Sequence, residues 1–259
     1  MDLGLAGKYA IVCASSRGLG RGCATELARA GCTVVLNGRD EEVLNATAKA
    51  ISRETGAKII PVVADVATPE GQARLVGAVP QVDILVNNNG GPPLRDFRAL
   101  GRDDLMAGVT GNMIAPIEMV QRVIDGMVER RFGRIVNITS SSVKGPIPGL
   151  DLSSGARAGL TGFLAGVART VAVHNVTINQ LLPGAFDTDR LRSNFEAAQK
   201  RENRSLDDIR ADRAATIPAG RFGEPDEFGK ACAFLCSAHS GYITGQSLLI
   251  DGGAFPGAF

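Results

Sequence analysis

The residues best suited to chemistry come early. Residues 13–20 read Cys-Ala-Ser-Ser-Arg-Gly-Leu-Gly, placing Ser15, Ser16, Arg17, Gly18, Leu19 and Gly20 between an apolar run at 8–12 and a helical pattern at 21–30. A strand that turns through glycine into a helix points several backbone N–H groups, and the positive end of the helix dipole, at one spot. That spot suits a pyrophosphate. Such a turn can also serve packing alone, but the strand at 33–37 (TVVLN) closes a strand-helix-strand unit of the expected length and favours the nucleotide. The second strand ends in Asn37-Gly38-Arg39, without the carboxylate that an NAD site uses on a ribose. Asp40 comes late and is better used as a helix cap. Arg17 and Arg39 together match a 2′-phosphate, so the pattern predicts NADP(H) over NAD(H).

The rest of the chain supplies elements to hold such a turn. A helix beginning after Asp40 and ending at Gly56 leads to a strand at 58–63, and Pro69 opens another helix. Strands follow at 84–87, 133–139, 176–182 and 247–250, with helical sequence at 103–131, interrupted near Gly111, and at 153–173. Strands alternating with helices predict an α/β fold, a doubly wound parallel sheet of seven strands in one domain spanning 1–259. Ligands of such sheets sit at the carboxyl ends of strands. Ser15 to Gly20, Asn37 to Arg39, Asp65, Asn87 to Gly91, Thr139 to Ser142, and Pro183 to Thr188 are therefore the positions that matter. Residues 185–224 form a long charged excursion, read as a lid-like insertion or as a solvated, salt-bridged helical face.

Composition narrows the class. The chain has 259 residues, is 44% apolar and carries a net charge of +1, enough for one large core and without a global field for nucleic acid or an anionic membrane. No apolar run approaches the ~20 residues that span a bilayer, and residues 1–8 lack a secretory pattern, so a soluble cytoplasmic protein is expected. The five cysteines, Cys13, Cys23, Cys32, Cys232 and Cys236, fall in strands and helices and read as reduced core thiols. Cys232 and Cys236 share a helical spacing, but no His or further Cys stands nearby, and no metal site is expected.

Over nearly its whole length the sequence resembles the short-chain dehydrogenase/reductase family, most closely its 3-oxoacyl-carrier-protein-reductase-like branch. The glycine turn resembles TGxxxGxG, with Cys13-Ala14 in place of Thr-Gly; Ala14 is tolerable in that position if φ stays negative there. Asp65-Val66 resembles the family's adenine-contacting pair, Asn87-Asn88-Asn89-Gly90 its NNAG, and Pro183-Gly184 with Thr188 its PGxxxT beside the nicotinamide. The family's catalytic groups are an Asn, a Ser, and the Tyr and Lys of YxxxK. Asn112 resembles the first and Ser140 the second. Where YxxxK should stand, Ser153 takes the Tyr position and Arg157 the Lys position. The only tyrosines, Tyr9 and Tyr242, lie elsewhere. A serine hydroxyl is a far weaker acid than a phenol, and a guanidinium does not relay protons, although Arg157 keeps the charge that bonds the nicotinamide ribose. Lys144 and Asp151 are substitutes for the lost acid only if they are not a solvated loop residue and a helix cap.

Two functions follow from the resemblance. One is an NADP(H)-dependent oxidoreductase acting on a carbonyl or secondary alcohol, a 3-oxoacyl-like substrate included, with an altered proton donor. The other is a non-catalytic NADP(H)-binding protein, a sensor or a partner of an active homologue. The resemblance also implies a homotetramer or homodimer, with the tail at 254–259, including Phe255 and Phe259, at a contact between subunits.

Overall fold

The computed structural model describes residues 2–92 and 94–257; Pro93 and Phe259 lie outside them. Seven parallel strands form a single sheet: β1 (Tyr9–Val12), β2 (Thr33–Gly38), β3 (Ile59–Val63), β4 (Ile84–Asn87), β5 (Gly133–Ile138), β6 (Val176–Pro183) and β7 (Ser247–Ile250), in the order β3-β2-β1-β4-β5-β6-β7. The chain runs outward from β1 to β3 and then restarts on the other side of β1 at β4. The reversal opens a crevice above the carboxyl ends of β1 and β4. This is the single-domain, doubly wound sheet expected from the alternation of strands and helices.

Helices cover both faces. On one face, α1 (Gly18–Arg29), α2 (Glu41–Thr55) and α9 (Pro225–Cys236) bury Leu27, Leu44, Ile51, Phe228 and Cys232 against Val12, Leu36 and Val86. On the other, α3 (Pro69–Val76), α5 (Ala115–Glu129) and α6 (Asp151–Val171) bury Leu75, Met119, Met127, Leu160 and Leu164 against Ile11, Leu85 and Ile135. Strands buried on both faces explain why they read as continuous apolar runs. All five cysteines are free and buried; burial pushes the Cys13 and Cys32 thiols up to about 12, which suits inert core groups. Among the described residues no helix is long and apolar enough to cross a membrane.

Local signals set the boundaries. The Asp40 carboxylate accepts from Val43 N–H, and Gly56 closes α2 in the left-handed region. The sequence expected one helix interrupted near Gly111. Instead α4 (Arg102–Val109) continues through a π-helical turn, Thr110–Ile114, into α5. Asn89 Nδ2 donates to the Gly111 carbonyl at 3.0 Å, supplying one of the partners that a widened turn needs. Helix α6 begins two residues earlier than expected, so Asp151 is its first residue. Between β6 and α9 the chain forms α7 (Asp189–Glu202) and α8 (Leu206–Ala215), which enclose a small core of their own around Phe195, Ile209, Ile217 and Phe222.

Candidate active site

A cavity of about 610 Å³ follows the carboxyl edge of the sheet from the ends of β2 and β3 past the glycine turn to α6 and α7. Its wall contains Ser16, Arg17, Gly18, Leu19, Asn37, Arg39, Asp65, Val66, Asn88 and Gly90 toward one side, and Ser140, Ser153, Arg157, Pro183, Gly184 and Thr188 toward the other. Most of the sequence-derived residues, scattered from Ser16 to Thr188 along the chain, therefore meet around one space.

The glycine turn is held by its neighbours. Ser15 is fully buried, donates to the Val12 carbonyl at 2.6 Å and accepts from Asn37 N–H at 2.9 Å. It braces β1 against β2 and does not reach the cavity, contrary to its expected place among the cofactor contacts. Gly20 also stands behind the wall: a Cβ there would run into the Ala14 carbonyl, so its smallness serves packing. Asn37 touches the cavity, but its amide is committed within the fold. It accepts from Ala14 N–H at 2.9 Å and donates to Ala64 O at 3.0 Å. Ala14 has φ of +44°, the left-handed region, which corrects the negative φ expected when alanine replaced the family's glycine. Hydrogen bonds hold it on both sides, since Asn88 Nδ2 donates to its carbonyl at 3.0 Å.

These supports leave the start of α1 free for a ligand. Arg17 caps the helix without a side-chain hydrogen bond, and no acidic residue lies in the first turn. Backbone N–H groups and the helix dipole thus meet the cavity uncompensated, as an anion site requires. Gly90 faces open space, and Thr188, which caps α7 by accepting from Leu191 N–H at 3.4 Å, packs across from Gly18. Arg17 and Arg39 are exposed side chains at the cavity; the nearest carboxylate to Arg17 is Asp189, at 3.9 Å. The Asp65 carboxylate turns back to accept from Ala67 N–H at 2.9 Å, and Val66 is buried beside it. These residues fit an elongated dinucleotide carrying an extra phosphate.

At the other side, two serines are set up as donors. Ser140 Oγ accepts from Ser142 N–H at 3.1 Å and from Ser142 Oγ at 2.9 Å. Ser153 Oγ, in a residue 5% exposed, accepts from Arg157 Nε at 3.3 Å. Each of these hydroxyls accepts within the protein and donates to no protein group among the described residues, which leaves its proton for a ligand oxygen. Arg157 also donates to Ile138 O at 2.6 Å and, at 3.5 Å, to Asn89 O. Burial, reinforced by the charge of Arg190, pushes its guanidinium down to about 10, still protonated at neutral pH.

Asn112 stands outside the cavity wall. It is 5% exposed in the π-turn, donates to Gly108 O at 3.2 Å, and its Oδ1 has no partner among the described residues. Lys144 and Asp151 are exposed and do not line the cavity. Sequence reasoning assigned no site role to Leu150 and Arg190, which also line the cavity. Arg190 reaches from α7 to the carbonyls of Gly91 and Pro92, at 3.3 and 3.1 Å. Its place two residues after Thr188 was the only signal, and it was lost among the other arginines of that segment.

Comparison with known proteins agrees with the geometry. A family model described as enoyl-(acyl carrier protein) reductase matches residues 13–254. The chain is 32% identical over 260 residues to the 3-oxoacyl-(acyl-carrier-protein) reductase of Aquifex aeolicus, covering 98% of this chain and 100% of that one. It is 34% identical over 253 residues to the acetoacetyl-CoA reductase of Allochromatium vinosum, covering 96% and 98%. Among solved structures, L-sorbose reductase of Gluconobacter frateurii, complexed with NADPH and L-sorbose, superimposes with a TM-score of 0.93 at 27% identity, covering 97% of this chain and 98% of that one.

Proposed function

The chain belongs to the short-chain dehydrogenase/reductase family and is an NADP(H)-dependent oxidoreductase acting on a carbonyl; we propose that it does so with Ser140, Ser153 and Arg157 in place of the family's tyrosine acid. The observation that carries this proposal is the pair of serine hydroxyls on one cavity wall, each already accepting within the protein and each left with a proton to donate.

NADPH, when bound, supplies the hydride. Ser16, Arg17, Gly18, Leu19 and the N-terminal turn of α1 would hold its pyrophosphate, Arg17 and Arg39 the 2′-phosphate and Asp65-Val66 the adenosine, with Asn88 and Gly90 facing it from the loop after β4. Pro183, Gly184 and Thr188 would border its opposite side. Ser140 and Ser153 donate hydrogen bonds to the carbonyl oxygen as negative charge grows on it, and the Arg157 cation behind Ser153 strengthens that donor. Each such donor contributes on the order of 10²–10³ in rate. The final proton comes from water, since neither hydroxyl is acidic enough to give one up. Loss of a general acid costs about 10²–10⁴ in rate, so turnover is slow relative to a tyrosine enzyme. Asn112 acts from behind the wall, its free Oδ1 ready for a water.

The excursion at 185–224 is proposed to close over the substrate, supported by its separate core and by Arg190 bridging to the loop after β4. A homotetramer or homodimer belongs to the same proposal, supported by exposed Phe97, Met106, Phe163 and Tyr242; sedimentation tests it. A panel of carbonyl compounds followed by NADPH oxidation tests the catalytic assignment. Turnover that falls with Ser140→Ala upholds it. A protein that binds NADPH and turns over nothing, even as Ser153→Tyr with Arg157→Lys, would be the non-catalytic binder.

A further inference from the structure

Arg157 is 8% exposed, in the wall of the cavity, and among the described residues no carboxylate lies within salt-bridge distance of it. Buried cations are ordinarily paired, because the loss of hydration is large and backbone dipoles alone recover only part of it. Here three of the five guanidinium N–H groups are engaged, one of them at 3.5 Å, and all by neutral acceptors. The cation nearest in effect is Arg190, a like charge on the same wall. Arg190 also bonds only backbone carbonyls, of Gly91 and Pro92. The one acid in this part of the wall, Asp189, lies 3.9 Å from Arg17 at the glycine turn. The side of the cavity that holds Ser140 and Ser153 therefore carries two cations whose contacts are all neutral.

A nicotinamide ribose is neutral and leaves that charge uncompensated. A thioester substrate presents only a neutral carbonyl in place of an acid. A carboxylate meets the planar fork of a guanidinium in two parallel hydrogen bonds. Resting on the oxidoreductase function above, we propose that the substrate is a free oxo acid, its carboxylate held by Arg157 with Arg190 and its ketone oxygen by Ser140 and Ser153. The ketone carbon takes a hydride from NADPH, the carbonyl π bond breaks onto oxygen, and that oxygen takes a proton from water. A hydroxy acid and NADP⁺ result. The position that holds lysine in the family thus becomes a specificity-determining residue.

Matched pairs test this with the full chain: pyruvate against methyl pyruvate, and acetoacetate against ethyl acetoacetate. NADPH binding is first measured by calorimetry, then each probe is titrated into the NADP⁺ complex and assayed for NADPH oxidation. For at least one pair the acid should bind 10- to 100-fold more tightly than its ester, the range expected of charge-assisted hydrogen bonds. Arg157→Met should bring that ratio close to one, whatever happens to the rate shared by both probes, and Arg157→Lys should restore part of it. Because Arg157 also braces Ile138 and Asn89, Arg190→Met is the second variant and should lower the ratio about 3-fold or more. Intact NADPH binding with esters bound as well as acids overturns the oxo-acid assignment and leaves the oxidoreductase standing. Absence of NADPH binding overturns both.

Discussion

Replacing Ala14 by glycine should stabilise this protein. Ala14 sits at φ of +44°, where the clash between Cβ and the backbone costs an L-residue about 1–2 kcal/mol. Glycine removes that clash. It also loosens the unfolded chain, a penalty of about 0.4–1 kcal/mol. The methyl lies half-buried in the cavity wall, so its removal forfeits only a few tenths of a kcal/mol of burial. The balance is a gain of about 0.5 kcal/mol, which for a chain of this size raises Tm by about 1–2 °C. Urea denaturation of Ala14→Gly should show a higher midpoint with an unchanged slope. The strain persists because Asn37 Oδ1 holds the Ala14 N–H and Asn88 Nδ2 its carbonyl. In an Asn88→Ala background alanine can relax, and the advantage of glycine should shrink, leaving a coupling on the order of 0.5 kcal/mol. A midpoint equal to or below that of the wild type would refute the reasoning, because it would mean that the turn is not strained at Ala14.

Other outcomes are equally direct. Arg17→Ala with Arg39→Ala should weaken NADPH about 10- to 100-fold and NADH little; calorimetric titration that finds equal losses would remove the 2′-phosphate from these residues. Ser140→Ala should lower kcat/KM by about 10²-fold, and Ser142→Ala by less, since Ser142 only orients Ser140; steady-state assays separate the two. Activity should be flat from about pH 6 to 9 and fall as Arg157 loses its charge near 10, without the lower-pH step that an acidic tyrosine would give. The linked effect on stability has a definite sign. The folded pKa of Arg157 lies below that of a free guanidinium, so the unfolded chain holds the proton more firmly. The penalty for burying that charge is complete well below pH 10 and is relieved as pH rises through and above 10. Denaturation compared between wild type and Arg157→Met across that range measures it.

Alternation of apolar strands with amphipathic helices determined the sheet, its parallel sense and the edge on which ligands collect, because burial on both faces leaves a periodic record in the sequence. Cap residues did the same for helix ends, as Asp40 and Gly56 show. Much of the wall could be read for the same reason: Ser16 to Leu19, Arg39, Asp65, Ser140, Ser153 and Thr188 each follow a strand or begin a helix. What the neighbours of a residue leave free was decided only in three dimensions. Ser15 and Asn37 have the chemistry of ligand contacts, yet the approach of β2 to the turn consumes their hydrogen bonds. Ala14 is forced into a left-handed conformation by asparagines 23 and 74 positions away. Asn112 is drawn behind the wall by a π-turn, and Arg190 is brought against a loop 99 residues earlier. The unpaired state of Arg157 is likewise a property of the folded chain, since a sequence shows which charges exist and only packing fixes which of them meet an opposite one.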